Sequence, residues 1–208
     1  MFEAVIMPTV LNKNSVVNSF ESLVRYGHEN NFDVVNYDEF YNSLPEADKK
    51  TSPPKHIPFF ALFHPINKKP MFVLVEPNII RIIPNFKEVV NDIIGHERIH
   101  AEQSRRKGDI EYSLPPPTDK KAYFSNKEEI MAFSWTIANG LSKRKRDLDS
   151  AIKSLDEPVV IHMGMRPEEH KMIWDDIKRY CDEKTIKRYR KYIYLYLEKI
   201  FNEKSPVN

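Results

Sequence analysis

The sequence predicts an α+β fold with a small antiparallel sheet ahead of a set of helices, and three observations carry that reading. Compact apolar runs at residues 59–63, 71–75 and 79–83 are separated by Pro65, Asn67, Pro70, Pro77 and Asn78, the pattern of short strands joined by turns. From Phe86 the apolar residues change to helical spacing, through Val89, Val90, Ile93 and Ile94. Further helical stretches then follow from Ser125, Arg166 and Thr185, each opening on a residue suited to a helix start or continuing an apolar stripe.

The chain has 208 residues, of which 41% are hydrophobic and 30% charged, so it can bury a core and is not a disordered polyampholyte. A net charge of +2 gives no reason to expect a nucleic-acid partner. The single cysteine, Cys181, forms no internal disulfide and points to no oxidising compartment. The first residues carry Glu3 and no basic segment followed by a long apolar one, unlike a signal peptide. No apolar run approaches the roughly 20 residues that cross a bilayer. These features predict a soluble protein made in a cytoplasm, with no membrane partner. Five glycines against fifteen prolines suggest helices joined by stiff loops.

Taken in order, residues 1–10 form an apolar segment broken by Pro8, a possible first strand. Residues 15–29 read as a helix with Ser15 as N-cap, and residues 38–44 as a short helix capped by Asp38. Residues 45–58, with Pro45, Pro53, Pro54 and Pro58, read as a loop. The three apolar runs give the sheet. Asn85 then caps a helix reaching about Arg106, and Gly108 suits its C-terminal end. Pro115, Pro116 and Pro117 stiffen the connector that follows. Ser125 and Glu128 match a capping box at the start of the next helix, which runs through Leu141 and continues or restarts toward Leu155. Residues 159–163 form a short apolar run. A helix from Arg166 to about Cys181 and another over residues 185–201 close the chain, the second with a stripe of Tyr189, Tyr192, Ile193, Tyr196, Leu197 and Ile200. This order suggests a main domain over 1–158 and a helical extension over 159–208.

The segment 92–106, DIIGHERIHAEQSRR, holds the chemistry. His96-Glu97-Arg98-Ile99-His100 is an H-E-x-x-H pattern. Histidines four apart lie on one helix face and can grip one metal ion, with Glu97 beside them to act on a metal-bound water. Two histidines rarely suffice, since a catalytic zinc takes three protein ligands and keeps one position for water.

Residues 85–141, with GHERIHAEQ followed by YFSNKEEIMAF, resemble the gluzincin clan of zinc metallopeptidases. The wording also looks like small metallopeptidase-like proteins encoded by tailed phages. The resemblance implies a zincin-like core with a motif helix and a ligand helix. It also implies a cytoplasmic or virion setting and Zn2+ held by His96, His100 and a glutamate on the following helix. Glu128 and Glu129 compete for that place. The capping box occupies Glu128, and Glu129 lies about 100° further round the helix, toward Ala132 and Phe133, so Glu129 is preferred. The third histidine that a metzincin carries after its motif is absent.

The implied activity is hydrolysis of peptide bonds in a peptide or protein substrate, with Glu97 as general base. Tyr112, Tyr123 and His162 are candidates to steady the oxyanion, and Asp92, Glu102 and Asn139 to orient the histidines. A strand at 71–75 or 79–83 would pair with the substrate. Two other readings stand beside it: a non-proteolytic virion or host-interaction protein with a structural or relic zinc site, and a zinc hydrolase of a non-peptide amide. Lys143 to Arg146 reads as a solvated basic helix face, the tyrosines of the last helix as packing, and Cys181 as no nucleophile.

Overall fold

A computed structural model describes residues 7–8, 15–50, 57–64, 68–107, 119–157 and 169–204. Sequence expectations for residues 1–6, 51–56, 65–67, 108–118 and 158–168 lie outside the described residues; these include most of the first apolar run, Gly108, the triple proline and the run at 159–163. The architecture is α+β, and the chain divides into two compact units, Pro8–Ile110 and Glu111–Asn208 with Met1–Met7. The division between these units falls near residue 110.

The first unit is built on a three-stranded sheet. Strands β1 (Asp33–Asn36), β2 (Phe59–His64) and β3 (Lys69–Leu74) lie in the order β1-β3-β2. β2 and β3 pair antiparallel with Phe60 opposite Val73, as the two apolar runs predict. β1 pairs parallel to β3, Val34 opposite Phe72, so the sheet is mixed and not purely antiparallel. Successive side chains of β3 serve opposite faces. Phe72 and Leu74 join Leu23, Tyr26, Val90 and Ile94 in one buried cluster, whereas Met71 and Val73 join Tyr37 and Phe40 in another. A strand buried on both faces reads as an unbroken apolar run, which is why 71–75 shows no alternation.

The third apolar run is not a strand. Ile79–Ile82 forms a single helical turn, α4 in chain order, closed by bonds from Ile79 N to Glu76 O and Ile83 N to Ile79 O, both 3.0 Å. A short β-branched run does not choose between strand and helix by itself, and the turn opened at Pro77-Asn78 decides here. Residues 71–75 supply the middle strand, so neither strand expected to pair with a substrate is an edge; among the described residues the edges are β1 and β2.

The helices before the sheet begin at different caps from those expected. α1 (Phe20–Glu29) starts at Ser19, whose side chain accepts from Ser22 N in a capping box, while the Ser15 hydroxyl donates to Glu29 Oε2. α2 (Tyr37–Ser43) is capped by Asn36, not Asp38, and α3 (Glu46–Lys49) is one turn within the expected loop. α5 (Phe86–Lys107) carries the motif segment. Asn85 precedes it in the left-handed region at φ 55°, which asparagine tolerates better than most residues.

The second unit is helical: α6 (Lys120–Ser125), α7 (Lys127–Ser142), α8 (Leu148–Ser154), α9 (Glu169–Tyr180) and α10 (Glu183–Lys204). α9 and α10 both pack on α7, which places 169–204 in the same unit as α7. Tyr189, Tyr192, Ile193, Tyr196 and Leu197 are buried along α10, as their helical spacing predicts. Asp156 takes both arms of Arg190 at 2.8 and 2.9 Å and the Trp174 indole N–H at 3.2 Å. The Arg190 hydrogen bond holds the Asp156 carboxyl below its ordinary range. The helix of 127–142 ends before the basic run, so Lys143 to Arg146 form the turn into α8 and not a helix face.

Gly140 sets how closely α9 approaches α7. A Cβ added there would stand 2.6 Å from the His170 ring and 2.8 Å from His170 Cβ, so rotating the ring alone does not clear it. Alanine gains about 1 kcal/mol of helix propensity over glycine, and overpacking a buried contact costs about 1–3 kcal/mol. Gly140→Ala is therefore expected to lower the thermal midpoint; an unchanged or raised midpoint would show that α9 yields without cost. Among the described residues no helix is long and apolar enough to cross a membrane.

Candidate metal centre

α5 changes its buried side along its length. Phe86, Val90 and Ile94, four apart, are at most 2% exposed and pack into the cluster with Phe72 and Leu74. Further on, His96, Ile99, His100 and Gln103 follow the i, i+3, i+4, i+7 spacing of a single stripe. Ile99, His100 and Gln103 in it are buried, and His96 is half-buried. The variable motif position Arg98 turns elsewhere. Its guanidinium donates to the Asn30 carbonyl at the end of α1, and Asn91 accepts the Tyr26 hydroxyl at 2.7 Å. Two polar clamps to α1 thus fix the rotation of α5 about its axis, and with it the direction of the histidines.

The Nε2 atoms of His96 and His100 are 3.2 Å apart. Two nitrogens bound to one tetrahedral ion at about 2.05 Å each stand about 3.3 Å apart, so the two rings already have the separation of a ligand pair. His100 Nδ1 lies 3.0 Å from Gln103 Oε1.

Glu129 lies in the first turn of α7, where an anion is favoured by the unbonded N–H groups and the helix dipole. It is 1% exposed, while Glu128 is half-buried. One nitrogen of each histidine and one oxygen of Glu129 lie within 4.8 Å of one another, a donor group at metal-binding distance. Ser125 and Glu128 do not form the expected capping box. The N-cap of α7 is Asn126, whose side chain accepts from Glu128 N at 2.9 Å. Ser125 instead ends α6, with its hydroxyl 3.9 Å from Cys181 Sγ. Counting from Asn126, the third helical residue is Glu129.

Glu97 is half-buried on α5, one residue past His96. Of the oxyanion candidates, Tyr112 and His162 lie outside the described residues. Tyr123 is on α6, its ring edge-on to Phe124 and Phe133. Among the residues considered for orienting the histidines, Glu102 pairs with Arg105 and Arg106 at 2.5 and 3.1 Å. Asn139 is ten residues beyond Glu129, about 15 Å along α7. Gln103 was not anticipated, although its place three residues after His100 on the same stripe was visible in the sequence. The Tyr189 phenol is pushed far up by burial, with the charges of Cys181 and Glu129 acting in the same direction, and it donates to Phe124 O at 2.8 Å. Burial also raises the Cys181 thiol, which removes the thiolate a nucleophile would need.

No family model, no curated protein and no solved structure matches the chain.

Proposed function

We propose that the protein is a zinc-dependent metallopeptidase with a zincin-like arrangement of α5 and α7. The observation that supports this most is the convergence of one donor atom each from His96, His100 and Glu129 within 4.8 Å, beside Glu97. Two imidazoles and one carboxylate suit zinc, which takes nitrogen and oxygen donors, better than calcium or magnesium, which prefer oxygen alone. Burial adds an electrostatic reason. Glu129 is 1% exposed, a buried carboxylate is costly to hold charged, and a divalent ion held with the two histidines would add a favourable opposite charge. Three protein donors among the described residues would leave room for water or substrate, the pattern of a catalytic site.

Zinc bound there supplies Lewis acidity toward a carbonyl and makes water acidic near neutral pH. His96, His100 and Glu129 would hold the ion. Glu97 takes the proton of the attacking water and delivers it to the leaving nitrogen, so that the C–N bond breaks to give a carboxylic acid and an amine. β2 is the edge strand antiparallel to its neighbour, and α5 packs against it. An extended peptide added along that edge would present its backbone to a strand already braced by the motif helix.

The test is metal analysis of the purified chain with hydrolysis of a quenched fluorescent peptide library before and after chelation. About one zinc per chain is expected, with cleavage lost on chelation and regained on adding zinc. A folded protein without stoichiometric metal, or cleavage indifferent to chelation, would refute the reading.

A further inference from the structure

We propose that Gln103 is the positioning residue that fixes the tautomer of His100 and so prepares it as a metal ligand. This rests on the metal site proposed above. A neutral imidazole has one nitrogen that donates and one that accepts. His100 Nδ1 faces Gln103 Oε1 at 3.0 Å, and a carbonyl oxygen only accepts. Nδ1 therefore carries the proton, and the lone pair falls on Nε2, the atom 3.2 Å from His96 Nε2. The opposite tautomer would set a nitrogen lone pair against the oxygen at 3.0 Å, where His100 is 2% and Gln103 5% exposed. Two acceptors facing one another in a buried place disfavour that tautomer.

The pairing is local. Gln103 follows His100 by three residues on α5, so one helical turn holds both groups, and the ring needs no ion to be oriented. Gln103 is also neutral. It orients His100 without adding a negative charge next to the ring, which an aspartate or glutamate in its place would do. The sequence choice at 103 thus separates the orienting task, done by an amide, from the charge-balancing task, done by the carboxylate.

The experiment compares the full chain with Gln103→Met, similar in size and without the acceptor, and Gln103→Glu, which keeps an acceptor. Zinc affinity is read by competition with a chromogenic chelator, and ligand geometry by the visible absorption of bound Co2+. Loss of an outer partner of a metal-bound histidine typically costs 10–100-fold in affinity. Gln103→Met is expected to lose that much and to alter the Co2+ bands, while Gln103→Glu binds as tightly as wild type or tighter. Equal affinity for wild type and Gln103→Met, or Gln103→Glu as weak as Gln103→Met, overturns the role. If wild type binds zinc, such a result leaves the metal site standing; if wild type binds none, the site and this role fall together. Nitrogen NMR of the metal-free wild type, with His100 assigned against His100→Gln, reads the tautomer without any variant at position 103. Protonated Nδ1 is expected, and protonated Nε2 overturns the proposal.

Discussion

Glu97→Gln is expected to keep one zinc per chain and to lower peptide hydrolysis by about 100- to 10,000-fold, the usual contribution of a positioned general base. That loss corresponds to about 3–5 kcal/mol of transition-state stabilisation. The substitution is nearly isosteric, and Glu97 is not one of the three converging donors, so metal content and fold have no reason to change. Separating the two readouts is what gives the variant its value. Hydrolysis undiminished at full metal loading would remove Glu97 as the base. Loss of metal together with activity would mean that Glu97 belongs to the ligand set. Wild type that binds zinc and cleaves nothing in a broad peptide library would favour the non-peptide amide hydrolase or the structural zinc site.

The second large effect is expected at Glu129. Glu129→Gln replaces a buried carboxylate by an amide of the same shape and should weaken zinc binding by at least about 100-fold, beyond the range typical of an outer partner. Glu128→Gln should leave affinity within a few-fold, because Glu128 is half-buried and lies outside the converging donor group. The same pair of variants separates a ligand from a packing residue. A carboxylate held mainly for metal is costly to bury when the metal is gone, so the metal-free Glu129→Gln protein should melt within a few degrees of metal-free wild type. A large fall in its midpoint with zinc affinity intact would make Glu129 a structural residue. Loss of metal in Glu128→Gln alone would move the ligand by one position.

The preference for Glu129 over Glu128 rests on a cap that the structure places one residue later. The capping box was placed at Ser125, but the Asn126 side chain caps α7, and this shifts the helical count by one. What survives is the helical phase. Neighbouring residues point about 100° apart, and of the two adjacent glutamates Glu129 is buried, as is Ala132, while Glu128 is half-buried. Caps are decided by one or two hydrogen bonds and shift easily by a residue; the apolar face of a helix is decided by many contacts and does not. The same contrast appears in α1, where the buried Leu23 and Tyr26 were legible and the cap moved from Ser15 to Ser19.

Strand β1 shows a different limit. Asp33–Asn36 is four residues long, and nothing local marks it as a strand. It exists because β3 offers an edge, and its partners at 71–74 lie almost forty residues away in sequence. The helical turn at 79–82 is the reverse case, a strand-like composition overridden by the turn that precedes it.

By itself the sequence determined the features that repeat with a short period or close over a few residues: the β2–β3 hairpin pairing, the long motif helix, the buried stripe of α10 and the His96–Glu97–His100 layout. The tertiary structure decided the parallel strand, the central place of β3, the division near residue 110, the clamps from Arg98 and Asn91 to α1, and the burial of Glu129. The physical reason is range. Helical and strand periodicity are written in neighbouring residues, whereas a donor group drawn from residues 96, 100 and 129 depends on where the packed core brings the chain back.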